Sequence, residues 1–201
     1  MEYIRIGLTG GPGCGKSEAG RIFSSFQQWH CYDADQICHE IYKEPDSPFI
    51  KLLTAHWGTS ILDNCGLPDR NAIAEKIFAD EKERQWLNSV IQPEILFRLE
   101  NRIARTDARF ILIEVPLLFE SKWHPGMDKT IAVWSPPEIQ MARLLERGWT
   151  VEHAKRRMDA QLSAREKLEL ADYGIINRGS LEQLRDQCCR IASDIRNNYH
   201  K

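Results

Sequence analysis

The chain has 201 residues, which is enough to bury one core and to carry a modest insertion. Its formal net charge is −2 and it contains no long basic run, so the composition does not indicate a nucleic-acid partner. It has no apolar stretch of membrane-spanning length, and its first residues lack the basic start and cleavage site of a signal peptide. We therefore expect a cytoplasmic protein that binds neither nucleic acid nor membrane.

The first predicted element is a buried strand over residues 3–9, and the sequence GGPGCGKSE and a helix follow it. Gly10, Gly15, Lys16 and Ser17 match the pattern G-x-x-x-x-G-K-[ST]. Glycines let backbone N–H groups approach an anion, and the helix adds the positive end of its dipole. In such a loop the lysine reaches the β- and γ-phosphates and the serine hydroxyl ligates Mg²⁺. Strand, loop and helix together predict a site for a nucleoside triphosphate.

Two residues of this stretch raise separate questions. Glu18 suits the start of a helix while the loop is empty but repels bound phosphate. We expect this cost to be small, and smaller still if Glu18 pairs with Arg143 or Arg147. Cys14 is expected to be partly exposed near the helix N-terminus, which would lower its pKa. An incidental thiol in a reducing compartment is favoured over a redox sensor.

The second predicted strand, residues 29–33, ends at Asp33, and Asp35 follows two residues later in the sequence YDAD. Ligands of open parallel sheets bind beyond the carboxyl ends of the strands. A carboxylate there could accept the proton of a hydroxyl that attacks the γ-phosphate. Asp33 is nearer the strand end and is the candidate base, whereas Asp35 is expected to cap the next helix.

The segment 36–105 is too long for one crossover and shows helical periodicity, so it is predicted to be a helical insertion. Further strands are predicted at 109–115, 129–134 and 173–176. The last helix begins with a capping box formed by Ser180 and Gln183. The alternation of strands and helices predicts an α/β fold with a five-stranded parallel sheet.

The charged stretch after the fourth strand has two interpretations. Gln140, Arg143 and Arg147 lie on one face of a predicted helix. They could belong to a solvated helix pair, or to a lid whose arginines neutralise charge over the triphosphate. Spacing alone does not decide between the two.

Six segments resemble dephospho-CoA kinases, in the same order and along nearly the whole chain. They are IGLTGGPGCGKS, DAD (33–35), DR (69–70), PLLFE (116–120), Q..RLLER (140–147) and AD.GIINRG (171–179). That family transfers the γ-phosphate of ATP to the ribose 3′-hydroxyl of dephospho-CoA. The resemblance implies a P-loop kinase core of residues 1–35, 106–137 and 171–201. It also implies a helical acceptor (CoA) domain, 36–105, and a lid, 138–170.

The resemblance also implies roles for individual residues. Asp33 would be the general base, with Lys16 and Arg143 completing the catalytic set, and Ser17 would hold Mg²⁺. The expected nucleotide contacts are Gly11, Pro12, Gly13, Cys14, Gly15, Lys16, Ser17, Glu18, Arg147, Asn177 and Gly179. The expected substrates are ATP and dephospho-CoA, and the expected state is a monomer or a weak homo-oligomer.

The sequence departs from the family's pattern in places. Glu18 stands where the family usually has Thr, and Gln92-Pro93 stands where it has His-Pro. Glu114 ends the third strand at a variable position, where it could help to hold Mg²⁺ through water. Glu120 closes PLLFE, and either a position near the acceptor or a packing role fits it.

Two other functions fit parts of the sequence. A kinase for a nucleoside or nucleotide would share the loop, the lid and the base, but the long insertion indicates a bulkier acceptor. A GTP-driven switch is rejected, because DNCG (63–66) lies inside the insertion and no N-K-x-D guanine motif is present.

Overall fold

The computed structural model describes residues 3–199, apart from the side chain of Phe78. Contacts divide the chain into two compact units. One comprises the residues up to Asp33 together with those from Asp107 onward, and the other is Ala34–Thr106. Among the described residues, no helix combines the length and the apolar character needed to cross a membrane.

The first unit is built on the predicted parallel sheet. Its strands are Ile4–Gly10 (β1), Trp29–Asp33 (β2), Phe110–Glu114 (β3), Lys129–Trp134 (β4) and Tyr173–Ile176 (β5). They lie in the order β2-β3-β1-β4-β5, and every neighbouring pair is parallel. The fold class and the position of each strand are therefore confirmed.

The helices agree with the predicted alternation. They are Lys16–Ser24 (α1), Ala34–Tyr42 (α2), Pro48–Trp57 (α3), Arg70–Ala79 (α4), Glu81–Ile103 (α5), Pro137–Glu146 (α6), Val151–Asp159 (α7), Ala164–Leu170 (α8) and Leu181–Asn198 (α9). Short 3₁₀ turns lie at Thr59–Ile61 and His124–Gly126. The predicted capping box at Ser180 and Gln183 is present at the start of α9.

The core of the first unit lies between the sheet and the helices α1 and α9. The apolar runs of β1, β3 and β4 are almost entirely buried, as expected for strands covered on both faces. Under α1, Trp29 stacks between Phe23 and Phe110, with ring centroids 5.1 and 4.9 Å away. This packing fixes α1, and with it the loop that precedes α1.

The second unit contains α2 to α5. Ser47, Asp69 and Asp80 cap α3, α4 and α5 respectively. The DNCG sequence forms a turn, in which the Asp63 side chain accepts from the backbone N–H groups of Cys65 and Leu67. A local turn therefore accounts for the short D-x-x-G match.

One boundary differs from the expectation. Helix α2 begins at Ala34, directly after β2, so Asp35 lies inside its first turn and does not precede the helix. The expected capping position was wrong because no loop residue separates the strand from the helix. Asp33 is the last residue of β2 and directly precedes the helix.

Candidate active site

Glycines with positive φ shape the phosphate loop, residues 10–17. Gly13 and Gly15 have φ angles of 75° and 92°, which other residues rarely adopt. A Cβ at Gly15 would lie 2.3 Å from Asn177 Nδ2, and one at Gly13 would lie 2.6 Å from the Gln140 carbonyl oxygen. Both the backbone angle and the close packing therefore require glycine. The result is a tight turn into α1, as an anion-binding loop needs.

At the end of the loop, three polar groups converge. The Ser17 hydroxyl donates to Glu114 Oε1 at 2.9 Å, and Lys16 Nζ lies 3.6 Å from the same oxygen. Glu114 ends β3 and is buried. Burial raises the pKa of its carboxyl, while Lys16 and the Ser17 hydrogen bond act in the opposite direction. Lys16 and Ser17 thus lie at the end of the loop next to a buried acid, and their phosphate and metal roles stay a prediction.

Asp33 lies beside this group. It ends β2 and is the register partner of Glu114 on the neighbouring strand. Both acids, with Ser17 and Cys31, line an open groove of about 470 Å³ between α1 and the strand ends. The candidate base therefore lines the same groove as Ser17, the last residue of the phosphate loop.

Cys14 does not match its expected environment. The side chain is fully buried in the core of the first unit, not partly exposed. Burial raises the pKa of the thiol, and this outweighs the neighbouring Ser135 and Gly11 contacts and the charges of Lys16 and Lys167. The predicted exposure and lowered pKa of Cys14 were therefore wrong, because the side chain packs beneath the loop although it is near a helix N-terminus.

Glu18 pairs with Arg21, one turn further along α1. The pairing with Arg143 or Arg147 that the sequence offered is not formed. An (i, i+3) pair on one helix face keeps the two opposite charges together. The charge of Glu18 in the first turn of α1 is therefore compensated by Arg21 on the same helix.

Arg143 and Arg147 have different surroundings. Arg143 Nη1 lies 3.1 Å from the Gly13 carbonyl oxygen and 3.1 Å from Ser135 Oγ. Arg147 is exposed at the C-terminal cap of α6. Gln140, which shares the helix with Arg143, is buried and donates to the Ser135 carbonyl at 2.7 Å. The predicted polar face is thus partly packed against the loop, and only its far end faces solvent.

Asn177 and Gly179 follow β5. The Asn177 side chain is buried and donates to the Cys14 carbonyl oxygen at 2.8 Å. Gly179 precedes the capping box of α9, where a Cβ would lie 1.7 Å from Gln183 Oε1. Asn177 therefore contacts the phosphate loop directly, and Gly179 makes room for the helix cap.

An ion pair that no sequence motif indicates lies between α8 and the segment after β3. Lys167 in α8 is fully buried, and its Nζ lies 3.0 Å from Glu120 Oε1. It also donates to the Pro116 carbonyl and to Gln161 Oε1. Burial lowers the pKa of Lys167, and the Glu120 carboxylate opposes this effect. Of the two interpretations offered for Glu120, packing is the one that these contacts support.

Comparison with known proteins identifies the family of the chain. The family model described as dephospho-CoA kinase matches residues 4–183. The chain belongs to the dephospho-CoA kinase family. A dephospho-CoA kinase of Leptospira interrogans is 36% identical over 194 residues, covering 94% of this chain and 92% of the relative.

Solved structures agree with this membership. A Thermus thermophilus protein, TT1252, superposes with a TM-score of 0.86 at 28% identity, covering 96% of this chain and 98% of that one. A dephospho-CoA kinase of Campylobacter jejuni gives a TM-score of 0.66 at 26% identity, covering 96% and 98%. The resemblance drawn from the sequence motifs is confirmed, and with it the classification as a kinase.

Proposed function

We propose that this dephospho-CoA kinase family member transfers the γ-phosphate of ATP to the ribose 3′-hydroxyl of dephospho-CoA, giving CoA and ADP. The observation that carries the proposal is the placement of Asp33 in one groove with Ser17 and Glu114. Family membership supports the choice of acceptor, since the groove by itself identifies only a phosphoryl-transfer site.

In the proposed reaction, Asp33 accepts the proton of the acceptor hydroxyl while the hydroxyl oxygen forms its bond to the γ-phosphorus. The bond between the γ-phosphorus and the β–γ bridging oxygen breaks, and ADP takes its electron pair. Lys16 binds the β- and γ-phosphate oxygens, and the backbone N–H groups of the phosphate loop bind the polyphosphate. The chain thus supplies positioning, a base and fixed positive charge.

The residues at the end of the loop fit a magnesium ion. Mg²⁺ prefers oxygen ligands and takes few from the protein, and the Ser17 hydroxyl and the Glu114 carboxylate are adjacent oxygen donors. Ser17 would hold the ion directly, with Glu114 supporting it. When bound, Mg²⁺ supplies charge that offsets the negative charge of the phosphate oxygens.

We assign the second unit, Ala34–Thr106, to acceptor binding and residues 138–170 to the lid. The three lid helices differ in their anchoring. Helix α6 buries Gln140 and Leu144, and α8 buries Ala164 and Lys167. Helix α7 buries Ala154 alone. We therefore propose that α7 is the part of the lid that moves. Arg147 lies in the connection that leads from α6 to α7.

An acceptor panel tests the function. Purified protein with ATP and Mg²⁺ is given dephospho-CoA, adenosine, AMP or pantetheine, and ADP release is measured. We expect dephospho-CoA to raise ADP formation far above the rate with water, and the smaller acceptors to do so much less. Equal rates with adenosine would overturn the assignment of the acceptor and leave the kinase activity standing.

A further inference from the structure

Side chains from distant parts of the chain hydrogen-bond to the carbonyl groups of the phosphate loop. The Cys14 carbonyl oxygen accepts from Asn177 Nδ2 at 2.8 Å and lies 3.2 Å from Ser135 Oγ. Arg143 Nη1 lies 3.5 Å from this oxygen and 3.1 Å from the Gly13 carbonyl oxygen. One peptide carbonyl therefore has three polar side chains around it.

These side chains form one connected group. The single hydroxyl hydrogen of Ser135 is directed to the nearer acceptor, the Asn177 carbonyl oxygen at 2.6 Å, and Ser135 Oγ accepts from Arg143 Nη1 at 3.1 Å. Gln140 Nε2 holds the Ser135 carbonyl at 2.7 Å. Ser135, Gln140 and Asn177 are 0%, 4% and 6% exposed. We call Ser135, Gln140, Arg143 and Asn177 the carbonyl brace.

The brace has a consequence for the opposite side of the peptide group. In a trans peptide, the C=O of one residue and the N–H of the next point in opposite directions. The Cys14 carbonyl points at the brace, so the Gly15 N–H points away from it. The preceding N–H, that of Cys14, is used within the loop, where it donates to the Gly11 carbonyl at 3.2 Å. The brace therefore sets the direction of a donor that an anion can use.

We propose that the carbonyl brace is a positioning device that aims the Gly15 N–H and so sets the affinity of the loop for polyphosphate. The proposal rests on the proposed function only in that the loop binds a triphosphate. It makes Ser135 and Asn177 positioning residues, which act through the loop backbone and need not touch the base or the acceptor. A brace that only stabilised the fold would leave polyphosphate affinity unchanged.

The experiment measures the binding of inorganic tripolyphosphate and of ATP by calorimetry, in the presence of Mg²⁺ and without acceptor. Asn177→Asp replaces the donor to the Cys14 carbonyl with a repelling carboxylate, and we expect tripolyphosphate to bind about tenfold more weakly. Ser135→Ala removes the hydroxyl that links Arg143 to the Asn177 carbonyl, and we expect a loss of about threefold. ATP should lose affinity by the same factors.

Gln187→Ala is the matched control. The Gln187 side chain accepts from the Ile176 N–H at 2.9 Å and donates to the Ile176 carbonyl at 3.0 Å, next to Asn177 but away from the loop. It should lower thermal stability and leave tripolyphosphate affinity unchanged. Thermal melting of each variant establishes that it is folded, and Ser135→Ala serves as the test if Asn177→Asp does not fold.

Two results would overturn the proposal. If the folded variants bound tripolyphosphate as tightly as the unmodified protein, the brace would have a structural role only. Weaker ATP binding with unchanged tripolyphosphate binding would instead assign Asn177 to the nucleoside. Neither measurement uses dephospho-CoA, so an error in the acceptor would leave this test intact.

Discussion

Asp33 and Asp35 are two residues apart, yet they belong to different elements. Asp33 ends β2 and lines the groove, and Asp35 lies in the first turn of α2. An acid in a first helical turn favours the helix through the dipole, typically by about 0.3–1 kcal/mol. The position of Asp33 suits proton transfer, and that of Asp35 suits helix stability.

Asp33→Asn therefore tests the general base. We expect kcat to fall by about 10²- to 10⁴-fold, the usual contribution of a positioned base, while ATP affinity changes little. Asp35→Asn is the matched control, with a small loss of thermal stability and near-native turnover. Steady-state kinetics and ATP titration of both variants give the answer. A comparable loss of kcat in Asp35→Asn would transfer the role to that residue.

Glu18 departs from the usual residue of the motif, and the structure shows where its charge is compensated. Its carboxylate pairs with Arg21 on α1, with the Arg21 side chain exposed and the Glu18 side chain partly exposed. An exposed pair contributes little to stability, but it offsets the charge that would oppose bound phosphate. The sequence pointed to distant arginines, whereas the nearer partner lies three residues along the same helix.

At the scale of elements, helix α8 is attached to the core by a buried charge. Lys167 contacts Glu120 and the Pro116 carbonyl, and both of these partners belong to the segment that follows β3. Thr9 at the end of β1 donates to the same carbonyl at 3.1 Å. The helix, the 116–120 segment and the strand leading into the phosphate loop are therefore joined through one point.

Removing one partner of the Lys167–Glu120 ion pair should lower the stability of the fold. Glu120→Gln leaves the Lys167 ammonium without its counter-charge, and we expect a loss of about 1–3 kcal/mol in the free energy of unfolding, since Glu120 is partly exposed. Adding Lys167→Met removes the unpaired charge and should recover part of the loss. Urea unfolding of both variants measures this, and an equal or greater loss in the double variant would contradict it.

The pH dependence of the Glu120→Gln variant supplies an independent check. Burial lowers the pKa of Lys167 against the opposing effect of Glu120. Without Glu120 this pKa should be lowered further, so the native variant should release the proton at a lower pH than both the wild-type protein and the unfolded chain. In that range the unfolded state holds more protons, so stability rises with pH up to the ordinary lysine pKa of about 10.4. The cost of Glu120→Gln should therefore shrink as the pH rises towards 10, and the double variant should lack this trend.

The strands were predictable and the ion pair was not, for physical reasons. Strands β1, β3 and β4 are apolar runs, and burial of such a run depends on its own composition. Lys167 lies in a charged helical sequence, and its burial depends on Glu120 and Pro116, far away along the chain. The resemblance implies a site role for Asn177, but its contact with the Cys14 carbonyl depends on the fold, which brings residues 163 positions apart together.

At the scale of the molecule, the proposed lid would have to combine attachment with movement. Helices α6 and α8 are fixed by buried polar side chains, whereas α7 buries one alanine and exposes Lys155, Arg156 and Arg157. Segments with few buried contacts open most easily, and lids are drawn from such segments. The basic residues of α7 then provide charge that a bound triphosphate can attract.

Hydrogen exchange tests this division of the lid. In the protein without nucleotide, the amides of α7 should exchange faster than those of α6 and α8, because fewer buried contacts must be broken to expose them. A non-hydrolysable ATP analogue with Mg²⁺ should slow exchange in α7 by about tenfold or more, since a closed lid adds free energy to its opening. Protection in α6 and α8 should change less. Two results would contradict the proposal: equal protection of the three helices without nucleotide, or unchanged exchange in α7 when the analogue binds. In either case α7 would be a solvated surface helix and not a moving part.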